Sequence, residues 1–137
     1  MRRVLGSLGL LPVLMLLLAS STLAARPANA FVGSWTGTDI GDGSIVTLTV
    51  VGDGTVQATL IDDYATSACA HASTPIFRGK LVGKVDGSVM VTKITAAKCG
   101  TEPVPFLHGV VIEWWLDDSG TEVLLYNSFG EEYSRTN

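Results

Sequence analysis

The chain has 137 residues, with 9 Lys or Arg against 13 Asp or Glu, which is the length of one small domain with a mildly acidic charge. Apart from Arg2 and Arg3 at the N-terminus, no stretch of the sequence concentrates basic residues. Because nucleic acids and anionic membrane surfaces are bound through clustered Lys and Arg, we expect neither as a partner of this chain.

The N-terminal segment has the three parts of a signal peptide. Met1–Arg3 is a basic start, Val4–Ala19 is an apolar run of 16 residues, and Ala28–Ala30 supplies a small-x-small cleavage pattern. A membrane anchor is the alternative, but spanning a bilayer takes about 20 apolar residues. We predict a signal peptide over residues 1–30, cleaved before Phe31 or, as the second choice, after Ala25. The product is then secreted, either extracellular or periplasmic, with no membrane span.

Cleavage would leave an acidic domain over residues 31–137 with two cysteines. Three arginines leave with the signal, so six basic residues face 13 acidic ones, a net side-chain charge of about −7. Cys69 and Cys99 predict one disulfide, because exported proteins oxidise such pairs. Closing a loop of about 30 residues stabilises the fold by ~3–4 kcal/mol. The absence of a Cys-x-x-Cys pattern favours a structural bond over a redox site.

The mature part alternates apolar and polar residues between glycine-containing turns, and it has no capped helical pattern. The alternation predicts eight strands: Phe31–Asp39, Ser44–Val51, Thr55–Ile61, Ile76–Val85, Ser88–Lys98, Val104–Asp117, Thr121–Asn127 and Glu132–Thr136. Short links between consecutive strands favour an antiparallel up-and-down meander, and closing it removes both exposed edges. We therefore predict an all-β, eight-stranded barrel, with a two-sheet β-sandwich as the alternative.

Two residue groups carry a family resemblance. Gly33, Ser34 and Trp35 open the first strand, and Arg135 lies in the last one. This arrangement is similar to that of the calycin barrels, the lipocalins and avidins. The resemblance implies that the Gly-x-Trp lies near the closed end of the barrel and that the late arginine packs against the tryptophan. It implies a fold and assigns no ligand.

A meander also separates the two ends of the barrel. The end where the first strand begins has only tight turns and forms a floor, to which we assign Gly33, Trp35, Trp114 and Arg135. The opposite end has the longer loops and forms a mouth, and long loops usually carry function. Both cysteines fall in mouth loops, so a disulfide between them is sterically possible.

The predicted sixth strand directs its apolar alternate residues inward, and His108 is the one polar residue among them. We predict that His108 and Phe106 contact a ligand near the mouth, with Tyr64 and His71 in the loop above. The alternative is that His108 only hydrogen-bonds the backbone at the rim. The interior is predicted to contain Val46, Leu48, Val56, Leu60, Val91, Val110, Ile112 and Trp114. The spacing of His and Asp residues at the mouth is not a known metal-ligand pattern, so no metal is predicted.

No catalytic or cofactor motif is present in the sequence: there is no Gly-x-Ser-x-Gly, no His-Glu-x-x-His and no phosphate-binding loop. No catalytic residue and no cofactor are therefore predicted, and an enzyme is disfavoured. The expected function is binding of a small apolar molecule in the barrel's cavity or mouth. The alternative is an extracellular protein-interaction or protease-inhibitor-like module that uses the barrel's outer surface, where Trp115 is expected to lie.

Overall fold

The computed structural model describes residues 29–52 and 54–136, so residues 1–28 of the expected signal peptide lie outside the described part. The described residues form nine strands and one short 3-10 helix. The strands are β1 (Gly33–Thr38), β2 (Ile45–Val51), β3 (Thr55–Asp62), β4 (Phe77–Asp86), β5 (Val89–Cys99), β6 (Glu102–Pro103), β7 (Val111–Asp117), β8 (Leu124–Asn127) and β9 (Glu132–Thr136). The 3-10 helix, Pro105–Leu107, lies between β6 and β7.

Eight of these strands close into an antiparallel barrel. Each strand pairs with the next along the chain, except that β5 pairs directly with β7, and β1 pairs with β9 to complete the ring. β6 is a two-residue strand that pairs with the end of β5 outside the ring. The predicted all-β, eight-stranded barrel is confirmed, and the sandwich alternative is wrong. No helix within residues 29–52 and 54–136 has the length and hydropathy to span a bilayer.

The prediction of one long sixth strand is wrong in its first half. β7 begins only at Val111, because Pro105 lacks the amide hydrogen that a strand ladder needs and starts the 3-10 helix, and Gly109 turns the chain at a φ of +86°. The inward alternation therefore does not extend back to Phe106 and His108. Phe106 is 70% exposed, and His108 is exposed as well.

The barrel interior follows the two-residue period of its strands. Its buried apolar side chains include Trp35, Val46, Leu48, Val50, Val56, Ala58, Leu81, Met90, Ile94, Ile112, Trp114, Leu125 and Tyr133. The inward face of β5 consists of Met90, Thr92 and Ile94, so the placement of Val91 inside is wrong. Its side chain lies on the opposite face and is 40% exposed. Leu60 and Val110 are only partly buried, which leaves space toward the mouth.

The floor combines Trp35 with Arg135. The guanidinium carbon of Arg135 lies 4.3 Å from the ring centre of the buried Trp35. Its two terminal nitrogens donate hydrogen bonds to the carbonyls of Val32 (2.8 Å) and Ala30 (2.7 Å). Gly33 has a φ of +136°, and a Cβ there would lie 2.7 Å from Nη1 of Arg135. The arginine therefore fastens the last strand to the entry of the first, and a glycine is required beneath it.

Trp114 lies in the barrel interior, paired with Met90 on β5 and Asn127 on β8. Its Nε1 donates a 2.8 Å hydrogen bond to the buried Thr92 hydroxyl, and its ring contacts that of Tyr133 at a centroid distance of 5.7 Å. The polar atom of the indole is thus satisfied inside the barrel. Trp114 is fully buried, as the alternation of β7 predicted.

The disulfide between Cys69 and Cys99 is confirmed, with a Cα–Cα distance of 5.6 Å. It joins the long loop after β3 to the last residue of β5. Both cysteines are buried in a small apolar cluster that also contains Ala65, Phe77 and Val104. A buried disulfide is typical of proteins that work in an oxidising, extracellular-type compartment.

Candidate functional site

The mouth of the barrel holds a cavity of about 340 Å³ that opens to solvent. Most of its wall is apolar and comes from the upper ends of the strands and from the loops that surround them. The apolar side chains of the wall are Ile40, Val46, Leu60, Ala65, Ala68, Phe77, Ile94, Leu107, Val110, Ile112 and Phe129. The cavity therefore lies above the packed interior and inside the ring of long loops, the end that the meander assigns to function.

Four polar side chains with acidic or amide groups line the same cavity: Asp39, Asp62, Asn127 and Glu131. Each lies at or next to the mouth end of a strand. Asp39 directly follows β1, Asp62 ends β3, Asn127 ends β8, and Glu131 directly precedes β9. Because alternate strand ends of a meander meet at one rim, residues far apart in sequence converge around one opening.

Asn127 organises one side of this rim. Its Nδ2 donates to the Glu131 carboxylate at 2.6 Å, while its Oδ1 accepts the backbone N–H groups of Phe129 (3.0 Å) and Glu131 (3.1 Å). The hydroxyl of Tyr133 donates to the same carboxylate oxygen. These bonds fix the short loop between β8 and β9, so Glu131 keeps one orientation beside the cavity.

Burial raises the pKa of Tyr133 far above its ordinary value of 10.0, and the hydrogen bond to Glu131 is the next largest cause of this rise. Below pH 10 the hydroxyl is protonated in folded and unfolded chains alike, and it causes no pH dependence. Above that pH only the unfolded chain ionises, so stability falls as pH rises. We expect Tyr133→Phe to flatten this fall by up to about 1.4 kcal/mol per pH unit. Urea unfolding between pH 8 and 11 measures the slope, and an unchanged slope in the variant would contradict the assignment.

A second set of bonds holds the opposite side of the mouth. Asp42, in the turn between β1 and β2, accepts the backbone N–H of Ser44 at 3.1 Å. Its other oxygen accepts the backbone N–H (2.9 Å) and the hydroxyl (2.7 Å) of Thr66. The bonds from Thr66, and then those from Ser44, hold the pKa of Asp42 well below its usual range. This carboxylate therefore links the first turn to the long loop that carries Cys69.

The ligand contacts expected from the sequence do not line the mouth cavity. Tyr64 is 57% exposed, and His108 is exposed directly after the 3-10 helix. His71 and Phe106 instead line a separate depression of about 350 Å³ beside the disulfide. Sequence reasoning missed the rim residues because it looked for inward positions within one strand, whereas the signal was a polar residue at the mouth end of several strands.

The outer surface carries two further features. Trp115 is 40% exposed and stacks on Tyr126 across β7 and β8, at a centroid distance of 6.2 Å and an angle of 15°. On another face, Arg78, Lys80 and Lys98 line a groove of about 620 Å³. Pairing of β4 with β5 brings Lys98 beside Arg78, although the two are distant in sequence.

Comparisons with protein-family models, with curated proteins and with solved structures give no match. Within the described part of the chain there is also no group of three or more His, Cys, Asp or Glu side chains that could hold a metal ion. The candidate site is thus an open, mostly apolar cavity with carboxylates on its rim.

Proposed function

We propose that this protein is a secreted, calycin-type barrel that binds a small molecule with an apolar body in its mouth cavity. The observation that carries the proposal is the cavity of about 340 Å³ with an apolar wall above a closed floor. Ligand sites are concave, mostly apolar and roughly 300–1,000 Å³ in volume. This cavity lies at the lower end of that range, which favours a small ligand.

Export and family membership are part of the same proposal. The signal-peptide pattern of residues 1–30 and the buried disulfide both support an oxidising, extracytoplasmic location. The stacking of Arg135 on Trp35 next to Gly33 is the contact that the calycin resemblance implies, and it supports assignment to that group of barrels.

A second candidate function uses the outside of the barrel. The half-exposed pair of Trp115 and Tyr126 is the kind of aromatic surface that anchors protein–protein contacts. It supports an interaction or inhibitor-like module. The two candidates make different predictions for a small apolar molecule, because only the first expects it to bind in the mouth cavity.

The test is calorimetric titration with octan-1-ol, an uncharged probe with an eight-carbon chain. Burying seven methylenes at about 0.8 kcal/mol each limits the Kd to roughly 0.1 mM or weaker. Ala68→Trp places an indole at the cavity wall, and we expect it to weaken binding at least about tenfold because the probe then buries less of its chain. Ala96→Trp, the same change on the outer surface, should leave binding unchanged.

Thermal unfolding of both variants shows whether each remains folded. If Ala68→Trp does not fold, Val110→Phe serves in its place, because Val110 also lines the cavity. Absence of octan-1-ol binding to the wild type, or equal binding by the cavity variant and the outer-surface control, would overturn the proposal and favour the interaction module.

A further inference from the structure

The charged side chains of the mouth cavity are all of one sign. Asp39, Asp62 and Glu131 line it, and no Lys, Arg or His does. The described basic residues lie elsewhere, as in the outer groove and at the floor, where Arg135 covers Trp35. A ligand that enters the cavity therefore meets apolar walls and carboxylates, with no cation of the protein to neutralise them.

Asp62 is the most buried of these three carboxylates. Its residue is only 6% exposed, although it lines the cavity. One oxygen, Oδ1, accepts the backbone N–H of Tyr64 at 3.0 Å, whereas Oδ2 accepts no hydrogen bond from any described residue. Burying a carboxylate without a partner of opposite charge is costly, and a ligand that supplies this partner recovers the cost.

Burial and neighbouring negative charges both disfavour the ionised form of Asp62. Desolvation is the largest influence that raises the pKa of Asp62, and the nearby charges of Asp42 and Asp39 raise it further. Ser44 is also buried, and its hydroxyl lies near enough to Asp62 to favour the ionised form. Its Oγ nevertheless has no hydrogen-bond partner among the described residues. Ser44 Oγ is thus a buried polar atom without a hydrogen-bond partner in the described part of the chain, and it lies beside a carboxylate that lines the cavity, as expected of a site that a ligand completes.

We propose that the cavity selects an amphiphile with a cationic, hydrogen-bond-donating head, such as a primary alkylammonium, and that Asp62 is its main polar contact. This inference rests on the function proposed above. The apolar wall takes the alkyl body, and the ammonium donates to the unpartnered Oδ2 of Asp62. Asp39 and Glu131 attract the same head from the other sides of the rim.

The test compares three probes of equal chain length, octylammonium, octan-1-ol and octanoate, by calorimetry at pH 7 with the wild type. We expect octylammonium to bind about tenfold more tightly than octan-1-ol, the size of effect a partly shielded ion pair can supply. Octanoate should bind more weakly than the alcohol, because the rim repels its charge. In Asp62→Asn, which keeps an oxygen for the Tyr64 amide, the preference for octylammonium over octan-1-ol should shrink to about threefold or less.

Asp63→Asn is the matched control. Asp63 follows Asp62 in the chain, accepts the backbone N–H of Ile45 and does not line the cavity. Its variant should therefore keep the full preference for octylammonium over octan-1-ol. Octan-1-ol binding without a preference for octylammonium would overturn this inference and leave the proposed function standing. A preference that Asp62→Asn retains would overturn the role of Asp62. If no probe binds, the proposed function fails first and the inference fails with it.

Discussion

Replacing both Cys69 and Cys99 with alanine is expected to lower the free energy of unfolding by about 3–4 kcal/mol. The bond closes a loop across 30 positions of sequence, so its loss frees the unfolded chain more than it disturbs the folded one. The whole stability of such a domain is on the order of 5–15 kcal/mol. This loss is therefore the largest that we expect from any substitution at the mouth.

Urea unfolding of the double variant measures this loss directly. Wild-type protein treated with dithiothreitol is the matched control, because it removes the same bond without changing the sequence. The two should unfold at similar urea concentrations, both below that of the oxidised protein. A double variant within about 1 kcal/mol of the oxidised wild type would contradict a stabilising role for the bond.

Trp35→Ala is expected to cost about 3–5 kcal/mol of stability, the range for removal of a large buried aromatic side chain. Trp35 is completely buried, and its Nε1 donates a 2.8 Å hydrogen bond to the Phe31 carbonyl. The change also removes the ring beneath the Arg135 guanidinium, which lies 4.3 Å away. The floor would then lose packing, a hydrogen bond and a cation–π contact at once.

Trp115→Ala removes the same side chain from the outside of the barrel and is the control. Trp115 is 40% exposed and contacts Tyr126, so its loss should cost about 1 kcal/mol or less. Chemical denaturation of the two variants gives the comparison. Equal losses in the two would mean that the floor contributes no more to stability than an ordinary surface contact, and would refute its role in closing the barrel.

The strand plan could be predicted because two-residue alternation and glycine turns are local signals. β2, for example, alternates buried Val46, Leu48 and Val50 with less buried residues, as its sequence indicates. The predicted boundaries failed where backbone chemistry overrode the alternation. Pro105 and the 3-10 helix that it begins interrupt the ladder that the apolar pattern would otherwise continue, and Phe106 in that helix is exposed.

The site was harder to predict than the fold because its residues meet only after the barrel closes. The predicted third strand ended at Ile61, yet Asp62 ends β3 and is almost fully buried at the mouth. Asn127 and Glu131 carried no motif, and their role depends on the loop between β8 and β9. The cations Arg78 and Lys98 likewise become neighbours only through pairing of β4 with β5. Such contacts are non-local, and no short stretch of sequence encodes them.

The position of the ligand is tested most directly by backbone-amide NMR of the mature protein during titration with octan-1-ol and octylammonium. For both probes we expect the amide shifts to concentrate at the mouth, in residues 39–41, 62–68, 107–110 and 127–131, with little change at Gly33 and Trp35 on the floor. Octylammonium should additionally shift the side-chain carboxyl signal of Asp62. Shifts centred on Trp115 and Tyr126, or on the outer groove of Arg78, would contradict ligand binding in the mouth cavity.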